Sequence, residues 1–96
     1  MIVGSISENL EFEKRVAITP DIVKKYISLG FEINLSKNYG SHLGIDDKDY
    51  SEVGVQFVKD ENEILKNSDI IIQLGILSDD KISVIKENQT LIGVLN

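Results

Sequence analysis

The sequence has no cysteine, a single histidine, a single proline and no surplus of positive charge. The missing cysteines exclude disulfides, thiolate metal sites and cysteine nucleophiles. One histidine among scattered carboxylates does not make a metal's first coordination shell, so no metal site is expected. Ten basic residues stand against sixteen acidic ones, for a net charge of -6. Broad nucleic-acid contact needs clustered Lys and Arg to replace counterions, so it is not expected, and neither is docking on an anionic lipid surface. No fully apolar run is longer than the three residues Ile70 to Ile72, far short of a bilayer span. The opening MIVGSISENLEFEKR lacks a basic stretch followed by a long apolar one, so no secretory leader is expected. These absences fit a soluble cytosolic protein whose charge keeps it dispersed.

What is present is a regular alternation of strand and helix signals. At 96 residues and 42% apolar content, the chain suits one domain with a modest core. A domain of that size buries only about two-thirds of its unfolded surface, so its stability margin is thin. MIVGSI reads as a first strand, followed by a polar loop from Glu8 to Lys14. Thr19, Pro20 and Asp21 supply a cap, a first helical residue and a charge suited to the helix dipole. Ile22, Val23, Tyr26, Ile27 and Leu29 form the apolar stripe, and Gly30 stands just past its end.

Phe31, Ile33 and Leu35 alternate with polar residues, which predicts a half-exposed second strand at a sheet edge. Lys37 to Ile45 is a loop with two glycines. Asp46 and Asp49 open a short helix through Val53, with Gly54 ending it. Val55 to Val58 is the third strand. Asp60 and Glu63, at capping-box spacing, precede a turn with Ile64 and Leu65. Asp69 to Leu74 (DIIIQL) fits a strand covered on both faces. Ser78 is placed to cap a helix holding Ile82 and Ile85, and Thr90 to Leu95 is the fifth strand. The pattern predicts an α/β fold with a five-stranded parallel sheet and flanking helices, order 2-1-3-4-5. Residues 1–96 form a single domain in this reading. The end directly after a strand suggests the N-terminal part of a longer polypeptide.

Fold class alone suggests nucleotide binding, yet the usual device is missing. Neither GxGxxG nor GxxxxGK[ST] occurs, so no glycine turn brings a pyrophosphate to a helix N-terminus. The informative segment is EKRVAITP. Arg15 follows the first strand, at the sheet edge where open α/β folds bind ligands. Its guanidinium either grips a carboxylate or phosphate, or pairs with Glu11 or Glu13, or stays solvated. His42 lies in a loop with no carboxylate or nucleophile fixed beside it, which reads as a surface histidine. Asp46, Asp47 and Asp49 lack the glycine and final glutamate of a calcium loop, and capping explains them better. Tyr39, Gly40 and Gly44 read as an anion-binding backbone nest or, more simply, as a turn.

At EKRVAITP the chain resembles the N-terminal domain shared by alanine dehydrogenases and the alpha subunit of proton-translocating NAD(P) transhydrogenases. The family opens with a strand, a polar loop and an RVA-x-TP signature, here MIVGSI, then Glu8, then Arg15, Val16, Ala17, Thr19 and Pro20. A glycine and an edge strand follow, here Gly30 and Phe31. A D-x-x-Y-x-x-x-G pattern comes next, here Asp47, Tyr50 and Gly54. The ordered set runs nearly end to end.

The resemblance implies a two-domain enzyme in which a downstream domain binds NAD(H) and a cleft between the domains holds the nicotinamide. In alanine dehydrogenases the arginine matching Arg15 binds the substrate carboxylate, a lysine on the fourth strand touches substrate, and a histidine ending the fifth does acid/base work. Here the fourth strand ends Gln73, Leu74, Gly75, and the histidine position falls on Asn96, whose amide cannot relay a proton. These departures point toward transhydrogenase, which moves hydride between two nicotinamides without a side-chain base. GFEINLS and SDDKISVIKENQTLIGVLN also resemble the alpha subunit. KNYGSHLG stands where the family has a small-residue GAG loop, so that loop's contacts are expected to differ.

The resemblance further implies a homodimer on the cytoplasmic face of the inner membrane, delivering hydride to NADP(H) on another component and associated with a membrane component. Arg15 is the residue expected near the nicotinamide cleft, orienting rather than transferring protons. An alanine or saccharopine-type dehydrogenase is the alternative within the superfamily. A non-catalytic module such as a receiver is the alternative outside it, but Val58 and Lys59 at the third strand and Asn96 at the fifth do not fit a receiver.

Overall fold

The computed structural model describes residues 1–10, 14–75 and 77–93. Its elements run β1 (Ile2–Ser5), α1 (Pro20–Ser28), β2 (Glu32–Ser36), a 3-10 turn (Ser41–Leu43), α2 (Asp47–Glu52), β3 (Gln56–Val58), α3 (Glu61–Asn67), β4 (Ile70–Gln73), α4 (Asp79–Ile82) and β5 (Thr90–Gly93). All four strand pairings are parallel. The α/β class and the five-stranded parallel sheet with flanking helices are as the alternation predicts.

The strand order is 3-2-1-4-5, not 2-1-3-4-5. Alternation in β2 predicts an edge strand, yet β2 lies between β1 and β3. Its apolar residues Ile33 and Leu35 fill the side packed by α1 and α2, with Val3, Val23 and Tyr50. Its polar residues occupy the other side. Asn34 pairs in register with Gly4, whose missing side chain points at Ser68 and Ile64 of the α3 region. Alternation therefore reports one well-packed face and not an unpaired edge. The edges are β3, three residues long, and β5.

Local chemistry explains the element boundaries. Thr19 Oγ1 accepts from the Ile22 amide at 3.4 Å, Pro20 opens α1, and Gly30 takes φ 94° to end it. Asp49 accepts from the Asp46 amide at 3.0 Å at the start of α2. Asp60 caps α3 by accepting from Asn62 at 2.9 Å. α4 is shorter than predicted. Ser78 makes no side-chain cap bond, and Ile85 lies beyond the helix end. Gln89 instead organises the approach to β5, accepting from the Lys86 amide and donating to the carbonyls of Leu65 and Ser68.

The sheet separates two clusters. One holds Val3, Ile18, Val23, Ile33, Leu35, Tyr39, Tyr50 and Val55 against α1 and α2. The other holds Ile6, Ile64, Leu65 and Ile71 beneath α3. Each fully buried aliphatic side chain contributes on the order of 1.5–3 kcal/mol. β4 has Ile71 buried, with Ile70 and Ile72 half-buried, so its cover is less complete than the DIIIQL run predicts. Along β5, Leu91 and Ile92 are both exposed. No helix among the described residues is long and apolar enough to cross a membrane.

Candidate functional site

The chain reverses its direction of growth across the sheet between β1 and β4. From β1 it builds outward through β2 and β3. It then returns by α3 to the other side of β1. At such a reversal the loops leaving two neighbouring strands diverge, and a crevice opens at the strands' C-terminal ends. Here the crevice encloses about 620 Å3. One wall is Ile6, Ser7, Glu8 and Asn9, directly after β1. The other is Gln73, Gly75, Leu77 and Ser78, after β4. Glu61 at the start of α3 and Lys81 of α4 complete the rim and pair with each other at 3.4 Å.

A buried polar chain fixes both walls. Gln73 is 2% exposed. Its Oε1 accepts from the Ile6 amide at 2.7 Å, and its Nε2 donates to the Ile6 carbonyl at 3.1 Å. A backbone N–H only donates and a carbonyl only accepts, so this pairing sets the amide's orientation without ambiguity. Ser5 Oγ lies 2.6 Å from the Ile72 carbonyl and 2.8 Å from Gln73 Oε1, both acceptors, so its proton is directed there. Tyr39, 2.8 Å from Ser5 Oγ, is then the donor to it. Burial, chiefly, pushes the Tyr39 phenol up to about 12.

The chain ends at Glu8. Its Oε2 accepts from Gln73 Nε2 at 3.1 Å and from the Leu74 amide at 2.9 Å, and its Oε1 accepts from the Gly75 amide at 3.0 Å. The crevice wall therefore carries a carboxylate already saturated by donors and a neutral amide already committed. Among the lining residues the remaining charges, Glu61 and Lys81, are paired. This arrangement can orient a ligand, and the described lining residues include no uncommitted acid or base.

Arg15 is exposed in the loop between β1 and α1 and is not among the described residues lining the crevice. Two neighbours hold the segment around it. His42 Nε2 lies 2.7 Å from the Lys14 carbonyl, which requires that ring nitrogen to carry a proton and donate. Tyr50 donates to the Ile18 carbonyl at 2.8 Å and packs edge-on against Tyr39 at 5.8 Å and Phe57 at 6.3 Å. His42 thus acts as a strut. Glu11, Glu13 and Asn96 lie outside the described residues.

The three aspartates serve the α2 region. Asp49 bonds the Asp46 amide, and Asp47 accepts from the Asn38 amide at 2.9 Å. Among the described residues no group of His, Asp and Glu is arranged to hold a metal ion. The amides of Leu43, Gly44 and Ile45 bond to carbonyls of Gly40 and Ser41, so the glycine loop is a turn.

The hydrogen bonds that commit Glu8 and Gln73 are not evident from the sequence. The one available signal was a glutamine closing an otherwise apolar strand, which on burial must find hydrogen-bond partners.

The fold and the sequence are similar to those of known proteins. The NAD(P) transhydrogenase alpha subunit of Haemophilus influenzae is 32% identical over 95 residues, covering 99% of this chain and 18% of that subunit. The N(5)-(carboxyethyl)ornithine synthase of Clostridium botulinum is 33% identical over 93 residues, covering 97% of this chain and 28% of that protein. The crystal structure of transhydrogenase from Sinorhizobium meliloti superposes with a TM-score of 0.89 at 27% identity, covering 99% of this chain and 28% of that one. This chain therefore spans between about a fifth and somewhat over a quarter of these relatives. Residues 4–96 match the family described as the alanine dehydrogenase/PNT N-terminal domain, and this chain belongs to it.

Proposed function

We propose that this chain serves as the first domain of an NAD(P) transhydrogenase alpha subunit, forming one wall of the cleft in which hydride passes between NADH and NADP. The observation that carries the reading is Gln73. Alanine dehydrogenases, by the family resemblance, place a substrate-touching lysine on the fourth strand. Here the end of β4 carries a neutral amide whose donors and acceptor are engaged by Ile6 and Glu8. A reaction that moves hydride from one nicotinamide to another tolerates that substitution. Reductive amination of a keto acid calls for proton transfer from a side chain.

The dinucleotide's pyrophosphate does not fit this chain's own first turn. No glycine lies between Ser5 and Pro20, and Thr19 already takes the Ile22 amide at the start of α1. In this proposal a downstream domain holds the pyrophosphate, and this chain contributes shape and orientation. Dimerisation, an NADP-binding component, a membrane component and a place on the cytoplasmic membrane face belong to the same proposal. Arg15 is assigned to orienting charge near the cleft.

A chimera of the Haemophilus influenzae subunit, with this chain replacing the matching 95 residues, tests the reading. Combined with its partner subunit, it is expected to transfer hydride from NADH to an NADP analogue. The equivalent exchange into an alanine dehydrogenase is expected to leave NADH oxidation with pyruvate and ammonia undetectable. Activity in the second chimera but not the first overturns the proposal. In the first chimera, Arg15→Ala is expected to slow hydride transfer about tenfold, about 1.4 kcal/mol in the barrier, with an unchanged thermal midpoint because the side chain is exposed. An unchanged rate removes Arg15 from the site.

The second reading is a dehydrogenase or synthase of amino-acid derivatives. It is favoured by the 33% identity to the Clostridium botulinum synthase, which equals the likeness to the transhydrogenase subunit within one point.

A further inference from the structure

Three hydrogen-bond donors converge on the mouth of the crevice. The Leu74 and Gly75 amides are consecutive in the backbone leaving β4, and both point to one spot. Gln73 Nε2 is aimed there too, because its own Oε1 is fixed by the Ile6 amide and its amide group is buried. One carboxylate oxygen takes two of these donors, at 2.9 Å and 3.1 Å, and the other takes the third at 3.0 Å. Successive backbone N–H groups with a converging side-chain amide make a concave anion receptor. The two-oxygen spacing suits a planar carboxylate.

We propose that the Leu74 and Gly75 amides with the Gln73 side chain form a carboxylate-binding site, which this chain fills with its own Glu8. Glu8 is then a tethered ligand, and filling the site ties the loop after β1 to the loop after β4 across the sheet reversal. Tethering gives Glu8 an effective concentration in the millimolar range or above, so a dissolved carboxylate competes poorly while Glu8 is present. Removing Glu8 exposes the receptor to small monocarboxylates. The proposal concerns this chain's own residues and stands apart from which reaction the crevice serves.

The test is acetate titration of the full chain, followed by amide NMR at Leu74 and Gly75. In Glu8→Ala, acetate is expected to move both amide protons downfield along a saturating curve, with an apparent affinity at least about tenfold tighter than in the unaltered chain. A folded Glu8→Ala without a saturable shift at these amides overturns the proposal. So does an equal response in both proteins, which would place the anion elsewhere. Should Glu8→Ala be unfolded in chloride, acetate at matched ionic strength is expected to restore the folded spectrum. Failure to restore it also overturns the proposal.

Discussion

Gly4→Ala is expected to remove about 3 kcal/mol or more of stability, at the upper end of what overpacking costs. β1 passes α3 so closely that a Cβ at position 4 overlaps Ser68 Oγ and meets Ile64 Cγ2 at 2.9 Å. Neither neighbour can yield cheaply. Ser68 is buried and its hydroxyl donates to the Ile64 carbonyl at 2.6 Å, while Ile64 is fully buried in the cluster beneath α3. Strand or helix must therefore move. A shift of α3 displaces Glu61, which opens that helix and stands on the crevice rim. Against a total stability of roughly 0.1 kcal/mol per residue for ordinary domains, such a loss removes about a third of the whole. Ser68→Ala deletes the atom in the worst overlap at the cost of one hydrogen bond, about 1 kcal/mol. The double variant is therefore expected to be more stable than Gly4→Ala alone, a favourable coupling readable in a double-mutant cycle of denaturant midpoints. A thermal midpoint for Gly4→Ala within a degree or two of the unaltered chain would mean that β1 and α3 do not approach this closely.

How much of this was legible in the sequence follows from how far apart the cooperating residues lie. Thr19, Pro20 and Gly30 announced α1, and Asp46 with Asp49 announced α2, because a cap and the amides it satisfies sit within a few residues. The parallel sheet was legible from strand–helix alternation. Strand order was not, since the same β2 pattern suits an edge strand and an interior strand with one apolar face. What decided it was β3 pairing Asn34, Leu35 and Ser36 with Gln56, Phe57 and Val58. The candidate site was the least legible part. Gln73 meets Ile6 across 67 positions, and Glu8 meets Leu74 across 66. No local spacing encodes such pairs. Arg15 drew notice through its motif, whereas Glu8 looked like one more polar loop residue. Only the closure of β1 against β4 converts it into the pin of the crevice.

The second large effect is expected at alkaline pH. The Tyr39 phenol ionises near 10 in an unfolded chain and at about 12 in the folded one, because burial disfavours the phenolate. The sign follows from linkage: between these values the unfolded chain has released a proton that the folded chain still holds, so rising pH favours unfolding. The stability tied to the neutral phenol is present in full below about pH 10 and drains away toward pH 12. A shift of about two units corresponds to about 3 kcal/mol. Tyr50, also raised mainly by burial, acts in the same direction. Tyr39→Phe separates this from general alkaline damage. It removes the hydrogen bond to Ser5, so near neutral pH it is expected to be less stable by about 1 kcal/mol. It also removes the titration, so its stability is expected to fall less steeply above pH 10 and to overtake that of the unaltered chain before pH 12. Urea midpoints measured for both proteins across that interval decide the matter. Parallel curves that never cross would show that the Tyr39 hydroxyl ionises as readily in the folded chain as in the unfolded one, and that the buried path from Tyr39 through Ser5 to Gln73 admits water.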